Sequence, residues 1–334
     1  MESLFRFFLI KGLFFFIFFG CASKEYFKPE HIDGKRAFDG ELPSKIVDAS
    51  KYGATLKNRK VLTEDNLDFS LQKDESFVGY SAENYIASKH CNTVLIYKQD
   101  TLRASFELPS CPLSATIKGE KIAIVGNDNT IYLYDISSQK ELFSKKSNAV
   151  TTVNSTIQAP IFFDGYIFYP MLDGSVLVVS EKTFEVERSI IIDSAPFFNN
   201  VIYLKLQKDL LIAATSKRVL SIDQGKTYTY EDEVKDIQVY KSKIYISTLD
   251  GQIKELDSML NLQRKLKFQF ASLPLLKIIQ DKIYSIEDGS GFLIEVDLKT
   301  FAPLVYELKL SRGENIFSQK SRIYYKDRFL EFSK

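Results

Sequence analysis

The chain has 334 residues, with 44 Lys plus Arg against 43 Asp plus Glu, 27 Phe, 18 Tyr and no Trp. That length is enough to bury a large core. The near-neutral balance excludes the basic surface that neutralises nucleic-acid phosphates, so no nucleic acid is expected as a partner. Abundant aromatic and β-branched residues favour strands over helices.

The N-terminus reads MESLFRFFLIKGLFFFIFFGCASKEYF, with Arg6 and Lys11 ahead of an apolar run from Leu13 to Phe19. The run is too short for a spanning helix and reads as a signal peptide over residues 1–20. It ends at Gly20-Cys21. A small residue directly before a Cys resembles the lipobox of bacterial lipoproteins, although Phe18 and Phe19 stand where that motif carries Leu and a small residue. The resemblance implies lipid on the Cys21 thiol and cleavage before it. An ordinary secretory signal and an uncleaved anchor are the alternatives. Ala22 after the Cys, in place of Asp, implies sorting to the outer membrane. Acyl chains would anchor the chain firmly, at roughly 0.8 kcal/mol per buried methylene. The expected location is therefore the outer membrane, lipid-anchored and facing the periplasm. Residues 21–43 are polar, contain Pro and Gly and show no period. They read as a flexible tether, followed by a folded domain over 44–334.

Within that domain a hairpin recurs. KIYISTLDGQIKELD (243–257) pairs an apolar strand with a second strand that carries Ile253, Leu256 and Asp257. The same frame occurs in NTVLIYK, NTIYLYD, GSVLVVS, KRVLSID, GFLIEVD and DRFLEFS. Its first apolar residues fall at 94, 131, 176, 219, 253, 293 and 329, spaced by 37, 45, 43, 34, 40 and 36. Asp-Gly and Asp-Asn at the turns suit two-residue hairpins with positive φ. A further strand follows most pairs and an apolar segment precedes them. A period near forty with four short strands predicts an all-β fold, a β-propeller of four-stranded blades. A sandwich or irregular meander is the alternative. Seven copies favour seven blades. The last copy stops one strand short at Lys334, which leaves an edge. An N-terminal strand within Lys45 to Leu71 is expected to close the ring. KIVDASKYGATLKNRKVLT (45–63) also looks like a degenerate hairpin plus strand, which makes eight blades the alternative.

STLDGQIKELDSMLNLQRKL and GNDNTIYLYDISSQKELFSK resemble the PQQ-like repeat of β-propellers, without the Trp that packs between blades in that family; Phe143 takes its place in one copy. With Cys21 and the tether, the chain resembles the BamB-type lipoproteins of the outer-membrane barrel assembly machinery. That resemblance implies a ring that binds protein subunits and assists barrel insertion. It carries no interface motif over to these residues.

Chemistry is sparse. His31 and His90 are isolated, and a zinc or iron site needs three or four convergent ligands. DGSG (288–291) reads as a turn between strands and not a phosphate cradle, because no helix follows it. The run YTYEDEVKD (228–236) places four carboxylates on an expected loop, read as a solvated turn with an acidic contact patch as the functional alternative. Cys91 and Cys111 remain once Cys21 carries lipid. An even pair in an exported protein suggests a disulfide, and neighbouring strand ends bring the two within bridging reach; two free thiols are the alternative. No catalytic, cofactor or metal residues are expected. The expected function is a non-catalytic, monomeric scaffold that binds envelope proteins and assists barrel assembly. A lipoprotein propeller binding cell wall, another envelope partner or a host molecule is the alternative.

Overall fold

The computed structural model describes residues 25–64, 66–147, 157–195 and 199–332. The repeat frame falls on one structural position throughout. Thr93–Lys98, Thr130–Asp135, Ser175–Ser180, Arg218–Asp223, Gln252–Leu256, Phe292–Asp297 and Arg328–Glu331 are each the third of four antiparallel strands in one sheet, the sheet of Phe292–Asp297 carrying a fifth strand besides. Numbered in chain order, the sheets form blades 1 (46–70), 2 (75–107), 3 (112–146), 4 (161–191), 5 (203–231), 6 (234–267), 7 (277–308) and 8 (316–331).

The ring has eight blades, which corrects the expectation of seven. The segment read as a degenerate hairpin plus strand builds the first three strands of blade 1, Ile46–Ala49, Ala54–Leu56 and Lys60–Thr63, and Asn66–Ser70 completes the blade. Its second and third strands are only three and four residues long, too short to show the two-residue alternation that marked the other copies. The closing strand also lies earlier than expected. Gly40–Glu41 pairs antiparallel with Arg328–Glu331 and supplies the fourth strand of blade 8.

The stretch read as a tether is therefore seated on the ring from its first described residues. Phe27 is buried between blades 6 and 7, edge-on to Phe268 and Phe292 at 6.0 and 5.6 Å. Gly34–Arg36 then adds to the outer strand of blade 7 in parallel, and Asp33 exchanges two hydrogen bonds with Val305. Backbone pairing and one aromatic anchor hold this segment without a long apolar stripe.

Eight buried apolar clusters hold the ring, and each spans one seam between neighbouring blades. The two-residue period of a strand explains this. In Lys121–Gly126, Ile122 and Ile124 face blade 2 while Ala123 and Val125 face blade 4. Stacked Phe–Tyr pairs cross three of the seams. Phe69 lies on Tyr85, Phe106 on Tyr134 and Tyr284 on Phe332, at centroid distances of 4.3, 4.4 and 3.9 Å. Such pairs contribute about 0.5–1.5 kcal/mol beyond their buried area.

Candidate binding surface

Antiparallel order within each blade fixes two faces. Turns between second and third strands, and crossings to the next blade, lie on one face, called the upper face here. Turns between first and second strands lie on the lower face. The expected two-residue turns with positive φ occur on the lower face, as at Asp164-Gly165 (φ 49° and 78°). The upper turns differ from expectation. Leu249 to Gly251 form a three-residue loop in which only Gly251 is left-handed (φ 78°), the arrangement of a type I turn with a bulge. A Cβ on Gly251 would stand 2.3 Å from the Phe268 carbonyl oxygen, so only glycine fits.

This loop borders a depression of about 450 Å³ on the upper face at blades 6 and 7. Leu249 and Phe270 project beside it, 52% and 50% exposed. Around them Lys267 pairs with Asp250 at 2.7 Å, and Lys235 and Glu25 complete the rim. The hydrogen bonds from Lys267 and Thr248 hold the Asp250 carboxyl well below the usual carboxylate range. An apolar pair inside a charged rim is the pattern of a small protein-docking site, with an apolar centre and a polar edge.

The ring also carries a bore. The blade 1 hairpin Ser50–Gly53 leaves the wall and reaches across it. Tyr52 Oη accepts hydrogen bonds from the Ala159 N–H and Gln158 Nε2, both at 2.5 Å, on the approach to blade 4. Lys51 Nζ lies 4.8 Å above the ring of Tyr203 on blade 5. Blade 5 is opposite blade 1 in a ring of eight, so the hairpin spans the bore. Its tip stands between two cavities, one of 500 Å³ lined by Lys51 and one of 400 Å³ lined by Tyr52.

Cys21 lies outside the described residues. The structure brings Cys91 and Cys111 together on the upper face of blades 2 and 3, with Cα atoms 4.9 Å apart and their sulfurs facing each other. His90, with a φ of 49°, is in the same turn, and His31 faces Asp33 at 3.5 Å near the N-terminus. Among the described residues no group of three or more His, Cys, Asp or Glu is placed to hold a metal ion.

Of the four carboxylates of 228–236, Glu233 is exposed between the strands of blades 5 and 6, and the other three are engaged or face inward. Glu231 pairs with Arg218, Asp232 with Lys254 at 2.5 Å, and Asp236 faces the bore. DGSG is a turn, as expected. Sequence reasoning missed Glu287 just before it, whose buried carboxylate accepts the N–H groups of Ser272, Gly289 and Ser290. The donors a phosphate would need are already taken. Burial raises the Glu287 pKa against these bonds. The sequence signal available for it was an acidic residue directly ahead of a Gly-rich turn.

No family model matches the chain. Among solved structures it is similar to BamB from Moraxella catarrhalis, with a TM-score of 0.69 and 14% identity over 88% of this chain and 98% of that one. It is also similar to the C-terminal WD40 domain of Sif2, with a TM-score of 0.66 and 12% identity over 91% of this chain and all of that one. At such identities the likeness is one of fold, and the fold is a β-propeller. By sequence the chain is 32% identical to the plasminogen-binding protein PgbB of Helicobacter pylori strain J99, across 98% of this chain and 71% of that protein. It is 33% identical to the PgbB of strain 26695 over the same shares. The chain belongs to the PgbB family.

Proposed function

We propose that this chain is a non-catalytic, lipid-anchored propeller of the outer membrane that binds a host protein, plasminogen, through its upper face. The observation that carries the reading is 32% identity over 98% of the chain to a protein named for plasminogen binding. The exposed Leu249 and Phe270 beside their depression support it, because an apolar centre within a charged rim suits a protein partner. Cys21 is the proposed lipid site. Binding a host protein requires display on the outer surface, so this reading replaces the periplasm-facing scaffold as the leading one. The barrel-assembly role rests on fold likeness alone, and fold does not fix function.

The test is biosensor binding of the full chain, in detergent, to immobilised plasminogen. The wild type is expected to bind saturably, and Leu249→Ser with Phe270→Ser to weaken binding about tenfold or more, the size of a hot-spot loss. Absence of wild-type binding overturns the partner. Equal binding by the folded double variant overturns the surface.

A further inference from the structure

The half of the bore that opens on the upper face is unlike the rest of the interior. Its 500 Å³ cavity is lined by Lys51 from the crossing hairpin, Lys235 from blade 6 and Lys277 from blade 7. Lys205 stands on the neighbouring inner strand of blade 5. Lys205 gives its Nζ to the Val239 carbonyl at 3.1 Å, and among the described residues the carboxylate lining the cavity is that of Asp236, whose Oδ2 is engaged by the Leu276 N–H at 2.8 Å. The hydroxyl-bearing Ser50 and Ser318 also line the space. Among the described residues neither Lys51 nor Lys235 forms an ion pair.

Water reaches Lys51 inside the bore, yet protein surrounds the ammonium. Loss of bulk solvation lowers its pKa, only partly opposed by Asp236. The same desolvation raises the pKa of Asp236 against the attraction of Lys51. Lys51 is partly desolvated and shares a concave space with Lys235 at its mouth, and ammonium groups so placed focus a positive potential. A bound anion would supply the missing counter-charge and hydrogen-bond acceptors.

We propose that this half of the bore is a socket for a small oxyanion, a phosphate or a carboxylate compound, with Lys51 at its floor and Lys235 at its mouth. The hairpin that carries Lys51 is pinned from across the ring by the Tyr52 hydrogen bonds, and the Lys51 ammonium lies over the Tyr203 ring. The size of the cavity admits ligands as large as pyrophosphate or citrate and excludes a folded protein domain.

The probes are sodium pyrophosphate and sodium citrate, titrated separately at constant ionic strength into the full chain in detergent and followed by calorimetry. At least one is expected to bind saturably, one per chain. Lys51→Gln should weaken that binding about tenfold or more, the loss of one hydrogen bond to a charged group. Lys51→Arg should keep most of it. Lys235→Gln at the mouth should weaken it too, and keeps the test valid if the Lys51 variant fails to fold. Lys140→Gln, exposed on the outer strand of blade 3, should leave binding unchanged. Preference for pyrophosphate assigns a phosphate ligand, and preference for citrate assigns a carboxylate. No saturable binding of either probe overturns the proposal, as does wild-type affinity in the folded lysine-to-glutamine variants.

Discussion

Replacing Phe27 by alanine separates a seated N-terminal strap from a free tether. Phe27 is 6% exposed and meets Phe268 and Phe292 edge-on at the seam of blades 6 and 7. Burying a phenylalanine side chain and leaving a hole in its place typically costs 3–5 kcal/mol on truncation, and a site at the end of a seam belongs at about 3 kcal/mol. The segment that follows is held by three paired residues and by the Asp33–Val305 bonds. An edge strand so short has little stability of its own, so Phe27 should dominate its opening. The Asp33 amide, bonded to the Val305 carbonyl at 2.8 Å, is then expected to exchange with deuterium about 100-fold faster in Phe27→Ala. The Leu42 amide, bonded to the Asp327 carbonyl at 2.6 Å where the ring closes, should exchange at its wild-type rate. Unchanged exchange at Asp33 would show that Phe27 does not hold the strap. Faster exchange throughout blade 8 would show that the strap and the ring closure open together, against the separation drawn above.

Three further outcomes are expected. If Cys91 and Cys111 are bonded, Cys91→Ser with Cys111→Ser should lower stability by about 3 kcal/mol in the chain-entropy model for a loop of this length, read as a urea midpoint. Thiol labelling of the unfolded wild type that finds both thiols free would remove the bond from the account. Tyr52→Phe strips the acceptor from the Ala159 N–H and the Gln158 amide; it should cost about 1–3 kcal/mol, and an unchanged thermal midpoint would show that the hairpin is not pinned there. Asp250 has a folded-state pKa depressed below the ordinary 3.8 by Lys267 and Thr248. Its contribution is therefore present above that value and lost as pH falls through the folded-state value. Asp250→Asn should flatten the decline of the thermal midpoint below about pH 4, and an identical acid limb in wild type and variant would contradict the assigned bonds.

The repeat was legible because its third strands keep buried residues at fixed places: Val94, Ile131, Val176, Val219 and Ile253 are all fully buried. Blade 1 was hard to see because Ala54–Leu56 and Lys60–Thr63 are too short to show an alternation, although Val61 and Leu62 are as buried as their counterparts. The strap was illegible for a related reason. Strands of three and two residues are specified by backbone pairing, which leaves little trace in composition. Stacked Phe–Tyr pairs at the seams were open to view only as abundant aromatics, since a stack forms between side chains about sixteen to fifty residues apart. The bore could not be read at all. Lys51 and Asp236 lie 185 residues apart in the sequence, and only closure of an eight-blade ring brings them to one cavity. Leu249 and Phe270 looked like ordinary apolar residues of a strand-rich chain. Their exposure follows from the turn at Gly251 and the crossing between blades 6 and 7.

The central claim is that the upper face at blades 6 and 7 binds a protein partner, and the most direct test is a deuterium-exchange footprint of the full chain with and without saturating plasminogen. Protection is expected at the amides around Leu249–Gly251 and Gln269–Leu273, with the outer strand Lys140–Lys146 of blade 3 unaffected. Protection confined to outer strands or to the lower face would contradict it, as would a footprint indistinguishable from the free protein.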